Sequence, residues 1–371
     1  MTHTDVSEQS QLILDSFVNQ SLEESVITCI GAIYHKDNED KTTSIMKYLK
    51  TQNLQSSPAH YLKESTTGVS AGKRLNSQLQ NGWTTGGGFR LPITEPPKWN
   101  EYQNHSRNVR YNIHSWVMLD SLLVEDSITQ SEEYLNLAVD IADDWIKNFV
   151  VSAQKDDFAW YDMAVGQRAT KLSYMLRRLI EIDAPSEQIF RFIIASELHF
   201  SELMEKERIA IHSNHGLFQV AGLLSLCHNL PLMKRSSEGI KFSEGIFEKM
   251  LNEHFAEDGL HLEHSPDYHL YMVNYLQLLK DSGWVSKNIN ETSKIIDLVV
   301  ETANWLAMPN NNVIPIGDTA NNIAITHRWA GYKGEIEIGH RFFPIGGLLI
   351  NNSITQNTQN QLVFSAQFYS R

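Results

Sequence analysis

From the amino terminus to about Pro309, the apolar side chains of this sequence recur at helical spacing, one stripe after another. Tyr134, Ala138, Ile141, Ala142, Trp145, Ile146 and Phe149 form one stripe, and Val165, Ala169, Leu172, Leu176, Leu179 and Ile180 form the next. Others follow at Ile189, Phe192, Ile193 and Phe200, at Ile240, Phe247 and Leu251, and at Ile296, Val299, Val300 and Ala303. An amphipathic helix must bury its apolar face against another element. Successive helices with moderate loops and no strands between them therefore predict stacked antiparallel pairs, either a ring of helical hairpins or an open solenoid, and argue against a βαβ fold.

After Pro309 the pattern changes. Asn310-Asn311-Asn312 and Gly317-Asp318-Thr319 lead into Gly-punctuated alternation at Glu335-Ile336-Glu337-Ile338 and Gly346-Gly347-Leu348-Leu349-Ile350, and the last residues, Leu362 to Tyr369, read as another strand. Two domains are predicted: residues 1–309, helical, and residues 310–371, the start of a β-sandwich. So short a β segment is a poor independent domain, so its remaining strands are expected beyond Arg371. The main interruption of the helical part is a long loop at 81–100, with Gly82, Gly86, Gly87 and Gly88 followed by Pro92, Pro96 and Pro97. No strand precedes these glycines and no Lys-Ser/Thr follows them, so they read as loop chemistry or a cleft-edge segment and not as a phosphate cradle.

Composition narrows the function. A formal net charge of -13 argues against nucleic acid as a partner. It does not exclude an acidic polysaccharide, because screening lets a cleft with Arg107, Arg110, Arg168 and Lys171 nearby stay locally positive. No apolar run approaches the roughly eighteen residues of a membrane span, and the polar start Met1-Thr2-His3-Thr4-Asp5 lacks the features of a signal peptide. As it stands the chain reads as cytoplasmic, or as periplasmic or secreted if a signal was lost. Of its two cysteines, Cys227 lies in an apolar run and reads as a buried thiol.

Two polar clusters each open an amphipathic helix. After Ser213-Asn214-His215-Gly216, the residues Leu217, Val220, Ala221 and Leu224 mark one buried face, which puts Asn214 and His215 at a helix start, where free N–H groups favour anions. In Glu263-His264-Ser265-Pro266-Asp267-Tyr268-His269, Ser265 suits the N-cap and Pro266 the first helical position, so Tyr268 falls in the first turn. An Asn, a His and a Tyr at helix ends suit β-elimination on a uronic acid. Asn214 would neutralise the carboxylate so that the C5 proton becomes removable, and His215 and Tyr268 would carry the proton transfers. His215 is the easier base and Tyr268 the natural acid, though one Tyr can serve both roles. Taken alone, each residue has a plain reading: a helix cap, an interface tyrosine.

At these residues the chain resembles the heparinase II/III-like polysaccharide lyases, built on an α/α toroid followed by a β-sandwich. The segment from Trp160 to Ala169 is similar to that family's stretch ending in an Arg, and Asp258 to Glu263 to its lead-in to the Tyr motif. The resemblance runs from about Trp99 to the end. It implies catalytic roles for Asn214, His215 and Tyr268 and a place for Arg168 along the substrate cleft; Trp160, Glu263, His264 and His269 are the further candidate substrate contacts. It implies an acidic polysaccharide or oligosaccharide substrate, no cofactor within this chain, and further His or Tyr groups with a structural zinc in a β-sandwich beyond it. Phe218 stands where dual-specificity heparin lyases of the family carry a Glu. A metal role for His261, His264 and His269 is disfavoured, since they lack i, i+4 helical spacing and Cys partners. Two other readings compete: an α/α-toroid glycoside hydrolase using two of Asp162, Asp258, Glu263 and Asp267, and a non-catalytic polysaccharide-recognition or capsule-assembly component.

Overall fold

The computed structural model describes residues 5–31, 40–52, 71–85, 88–152, 154–285, 290–329, 331–355 and 358–365. Thirteen α-helices are seen among them: α1 (Glu8–Val18), α2 (Leu22–Ile30), α3 (Lys41–Thr51), α4 (Ala71–Asn81), α5 (Arg107–His114), α6 (Asp120–Thr129), α7 (Glu132–Ile146), α8 (Asp162–Glu181), α9 (Ser186–Met204), α10 (Asn214–Asn229), α11 (Ser236–His254), α12 (Pro266–Ser282) and α13 (Asn290–Trp305). The strands are β1 (Trp83–Thr84), β2 (Arg90–Leu91), β3 (Gly339–Phe343), β4 (Leu348–Thr355) and β5 (Thr358–Ser365). This is the expected class: helical hairpins first, a small sheet last. No helix among the described residues is long and apolar enough to cross a membrane.

The chain divides into two compact units, one up to Ile246 and one from Phe247 onward. In the first, α8 packs on α9 and α10, α6 on α7, and α9 also on α1 and α2. Its core includes the fully buried Trp116, Trp145, Phe190 and Phe192, each worth about 1.5–3 kcal/mol of burial. A buried ion pair joins α6 to α8, where Asp126 accepts from Arg178 Nε at 3.1 Å and from the Tyr174 hydroxyl at 2.6 Å. Cys227 is buried, as its apolar run predicts.

In the second unit α12 packs on α13, and β3, β4 and β5 form an antiparallel meander in sequence order. Phe343 faces Leu348 across β3 and β4, and both join Leu260, Leu306, Ile314 and Ile350 in a local core.

Three sequence expectations need adjustment. The segment 81–100 is not wholly loop, because β1 and β2 pair as a short antiparallel ladder, Trp83 with Leu91. Gly86 and Gly87 lie outside the described residues. Glu335 to Ile338 is not a strand: Ile338 is exposed, and the ladder begins only at Gly339, opposite Asn352. The carboxy-terminal strand is β5, ending at Ser365, and Ala366 to Tyr369 lie outside the described residues.

Candidate active site

The site in the first unit is assembled by the crossing of α8 and α10. A Cβ on Gly166 would meet the Phe218 carbonyl oxygen at 2.4 Å, and a Cβ on Gly222 would meet the Gly166 carbonyl oxygen at 2.3 Å. Only glycine permits that approach. One turn before Gly166 stands Asp162, first residue of α8, and about one turn before Phe218 stand Asn214 and His215, first residues of α10. Ser213 caps α10 by accepting from the His215 N–H at 3.2 Å.

His215 Nδ1 lies 3.2 Å from Asp162 Oδ1. A carboxylate only accepts, so Nδ1 carries the hydrogen and Nε2 presents its lone pair. Both side chains are partly open to solvent. The arrangement is that of a base held and oriented by an acid, and it can stabilise the imidazolium that forms on taking a proton. The sequence reading named Asp162 only as a candidate carboxylate of the hydrolase alternative; its pairing with His215 was not foreseen, although Asp162 sits in the quoted Trp160–Ala169 motif.

Arg168 does not line a cleft. It is fully buried, donating from Nη1 to the His114 carbonyl and from Nη2 to the Ala159 carbonyl, both at 2.5 Å, and from Nε to His199 Nε2 at 3.0 Å. Its guanidinium lies 4.1 Å from the Trp145 ring centroid. Burial pushes Arg168 well below its ordinary range, countered by Glu202. Burial and the Arg168 charge also hold His199 neutral. Trp160 is likewise interior, against Trp145 and His199. Both side chains are buried and brace the segment that carries Tyr161 and Asp162.

The other cations expected at the site separate by their partners. Lys171 is buried against Asp120 at 3.0 Å. Arg110 binds Asp156 at 3.0 Å. Asp156 also accepts from the Phe158 N–H and faces His114, and it is held below the ordinary carboxylate range by these hydrogen bonds despite the opposing effect of burial. Arg107 is exposed and has no carboxylate partner among the described residues.

In the second unit the cap is as expected: Ser265 receives the Tyr268 N–H, Pro266 begins α12, and Tyr268 is 40% exposed in the first turn, leaving its phenol available. The cap is fastened by Thr319, whose Oγ1 lies 3.1 Å from Ser265 Oγ and accepts from the Asp267 N–H at 3.0 Å. Asp267 is locked to Arg328 through both carboxylate oxygens.

His269 is not available to substrate. It is fully buried, with Nδ1 accepting from the His261 N–H at 3.2 Å and Nε2 donating to the Val299 carbonyl at 3.0 Å. Burial lowers it to about 4. His261 is also buried and pushed down to about 3, by burial first and then by its histidine neighbours. His264 is half-buried at a positive φ of 53°, with Nδ1 3.2 Å from the Gly346 carbonyl. Glu263 is exposed. Among the described residues no group of three or more His, Cys, Asp or Glu side chains is arranged to hold a metal ion.

A cavity of about 770 Å³ in the first unit is lined by Leu12, Phe17, Cys29, Glu197 and Arg208 among others, and by none of the residues given a chemical role above.

A helical-hairpin chain with an Asn-His pair and a carboxylate-held imidazole at helix starts is the class defined here. The family model "Heparinase II/III N-terminus" matches residues 20–330, and the chain belongs to that family. Among solved structures it is similar to heparan sulfate lyase HepC from Pedobacter heparinus, at 14% identity over 88% of this chain and 56% of that one, with a TM-score of 0.61. It is similar also to a heparinase III at 13% identity, covering 98% of this chain and 60% of that one, with a TM-score of 0.60. Another heparinase III gives 16% identity, 89% and 58% coverage and a TM-score of 0.59. The likeness shows the fold, and the chain spans 56% to 60% of the length of these proteins. No curated protein matches the sequence.

Proposed function

We propose that the protein is a polysaccharide lyase that cleaves a uronic-acid-containing polysaccharide by β-elimination. The observation that carries this reading is the His215–Asp162 pair beside Asn214 at the start of α10, in a chain of the heparinase II/III N-terminus family. Asn214 donates to the uronate carboxylate and spreads the charge that builds there as the C5 proton leaves. His215 Nε2 takes that proton, and Asp162 stabilises the resulting imidazolium. Tyr268 protonates the departing glycosidic oxygen, while the electron pair of the broken C5–H bond becomes the C4–C5 double bond. No water is consumed.

A hydrolase reading finds less support. It needs two facing carboxylates, but Asp162 is committed to His215 and Asp267 to Arg328, and Asp258 receives the N–H groups of Leu260, Ile345 and Gly346.

The test is product chemistry with the full-length protein on a panel of alginate, glucuronan, glycosaminoglycan and bacterial capsule polymers. An unsaturated, ultraviolet-absorbing end supports elimination, and saturated ends refute it. In the active protein, Tyr268→Phe is expected to lower kcat by about 10² to 10⁴ while binding persists, since it removes one proton-transfer oxygen and almost no volume. A near-normal kcat would remove Tyr268 from the mechanism.

A further inference from the structure

We propose that Arg107, Tyr161 and Tyr111 form an anionic-sugar subsite adjoining His215, which holds the unit next to the one undergoing elimination by its carboxylate or sulfate. The inference rests on the lyase reading above and assigns part of its substrate recognition.

Position comes first. Tyr161 immediately precedes Asp162, and its ring lies 5.9 Å from the His215 ring, edge to face. The Tyr111 ring continues the strip at 6.1 Å from Tyr161, and its hydroxyl accepts from Gln167 Nε2 at 3.0 Å. Both tyrosines are partly exposed, so the strip offers aromatic surface against which the C–H face of a pyranose can stack.

Charge comes second. Arg110 has spent its charge on Asp156, whereas Arg107 is exposed and lies 5.9 Å from the Phe158 ring centroid, near enough to Tyr161 to offset in part the rise that burial causes in its pKa. Arg107 is the first residue of α5, where the helix dipole disfavours a cation. Its planar fork of donors suits recognition of a carboxylate or sulfate. In a chain of net charge -13, an exposed guanidinium with no carboxylate partner among the described residues, next to the tyrosine that packs on His215, marks where an acidic polymer can approach without repulsion.

Rigidity comes third. The segment bearing Phe158 and Tyr161 is fixed by Asp156 and by the buried Arg168 donating to the Ala159 carbonyl, so the strip is organised before ligand arrives.

The experiment titrates full-length wild type, Arg107→Ala and Arg107→Lys with three tetrasaccharides: a sulfated heparan type, an unsulfated glucuronate type, and neutral chitotetraose. Arg107→Ala is expected to weaken binding of an acidic tetrasaccharide about tenfold, the size of one lost charge-assisted contact at a solvent-open site. Arg107→Lys should recover part of the loss, and chitotetraose should not respond. Loss on both acidic sugars identifies a carboxylate as the anion held, and loss on the sulfated sugar alone identifies a sulfate. Equal binding of wild type and Arg107→Ala, or no acidic tetrasaccharide bound by wild type, overturns the subsite. The lyase reading is judged separately by the ultraviolet-absorbing product, so either can fail without the other.

Discussion

A single hydrogen bond separates two uses of a histidine at a helix start. Without Asp162, His215 would be a cap-region imidazole free to turn; with its Nδ1 3.2 Å from Asp162 Oδ1, the tautomer and the direction of Nε2 are fixed. Asp162→Asn keeps the shape but withdraws the charge that stabilises the imidazolium. It is expected to lower kcat by about 10² to 10⁴ with a much smaller change in KM and none in melting temperature. A mutant that loses melting temperature and KM instead would show Asp162 to be structural. Arg168 teaches the opposite lesson. Its motif suggested a substrate contact, yet its place was legible, because Val165, Arg168, Ala169 and Leu172 follow helical spacing and all four are buried. The guanidinium sits in the core stripe, where three directed acceptors and the Trp145 face offset its desolvation.

At the scale of elements, the two helix starts were readable because capping is local chemistry: Ser213 and Ser265 receive the N–H groups that the spacing predicts. The α8–α10 crossing was not readable as a partnership. Its trace in the sequence is only two glycines, Gly166 and Gly222, inside helical stripes, where each costs about 1 kcal/mol relative to alanine and so calls for a packing reason. Their backbones meet so closely that Gly166→Ala must push the helices apart. The expected loss is at least about 1–3 kcal/mol of stability, read by denaturant unfolding, with activity falling further than stability because Asp162 moves away from His215. A mutant within experimental error of wild type would mean that the contact yields without cost. Pairings between residues far apart in sequence, such as Asp267 with Arg328 or His269 with Val299, left no local mark either. The sequence carries each residue's own preference but not the partner that satisfies it.

Over the whole molecule, buried titratable groups set opposite demands on pH. His114, His199, His261 and His269 are all lowered from 6.5, with burial the first cause in each. As pH falls through the ordinary histidine range, the unfolded chain binds protons that the folded chain refuses, so stability declines toward acid. Glu197 acts in the other direction. Burial raises it from 4.5 to about 7, against the pull of Arg235 and Lys234. Between those values the unfolded chain releases a proton that the folded chain keeps, so stability falls as pH rises through this window and the full penalty persists above it. Glu197→Gln removes the penalty and nearly nothing else in volume. It is therefore expected to stabilise the protein at pH 8 by up to about 3 kcal/mol and to leave it nearly unchanged at pH 4, where both states are protonated in wild type. Thermal unfolding of wild type and mutant across that range checks the sign. An equal gain at both ends would assign the effect to packing along the α9 face, and no gain at pH 8 would mean that Arg235 and Lys234 already hold the carboxylate at no cost.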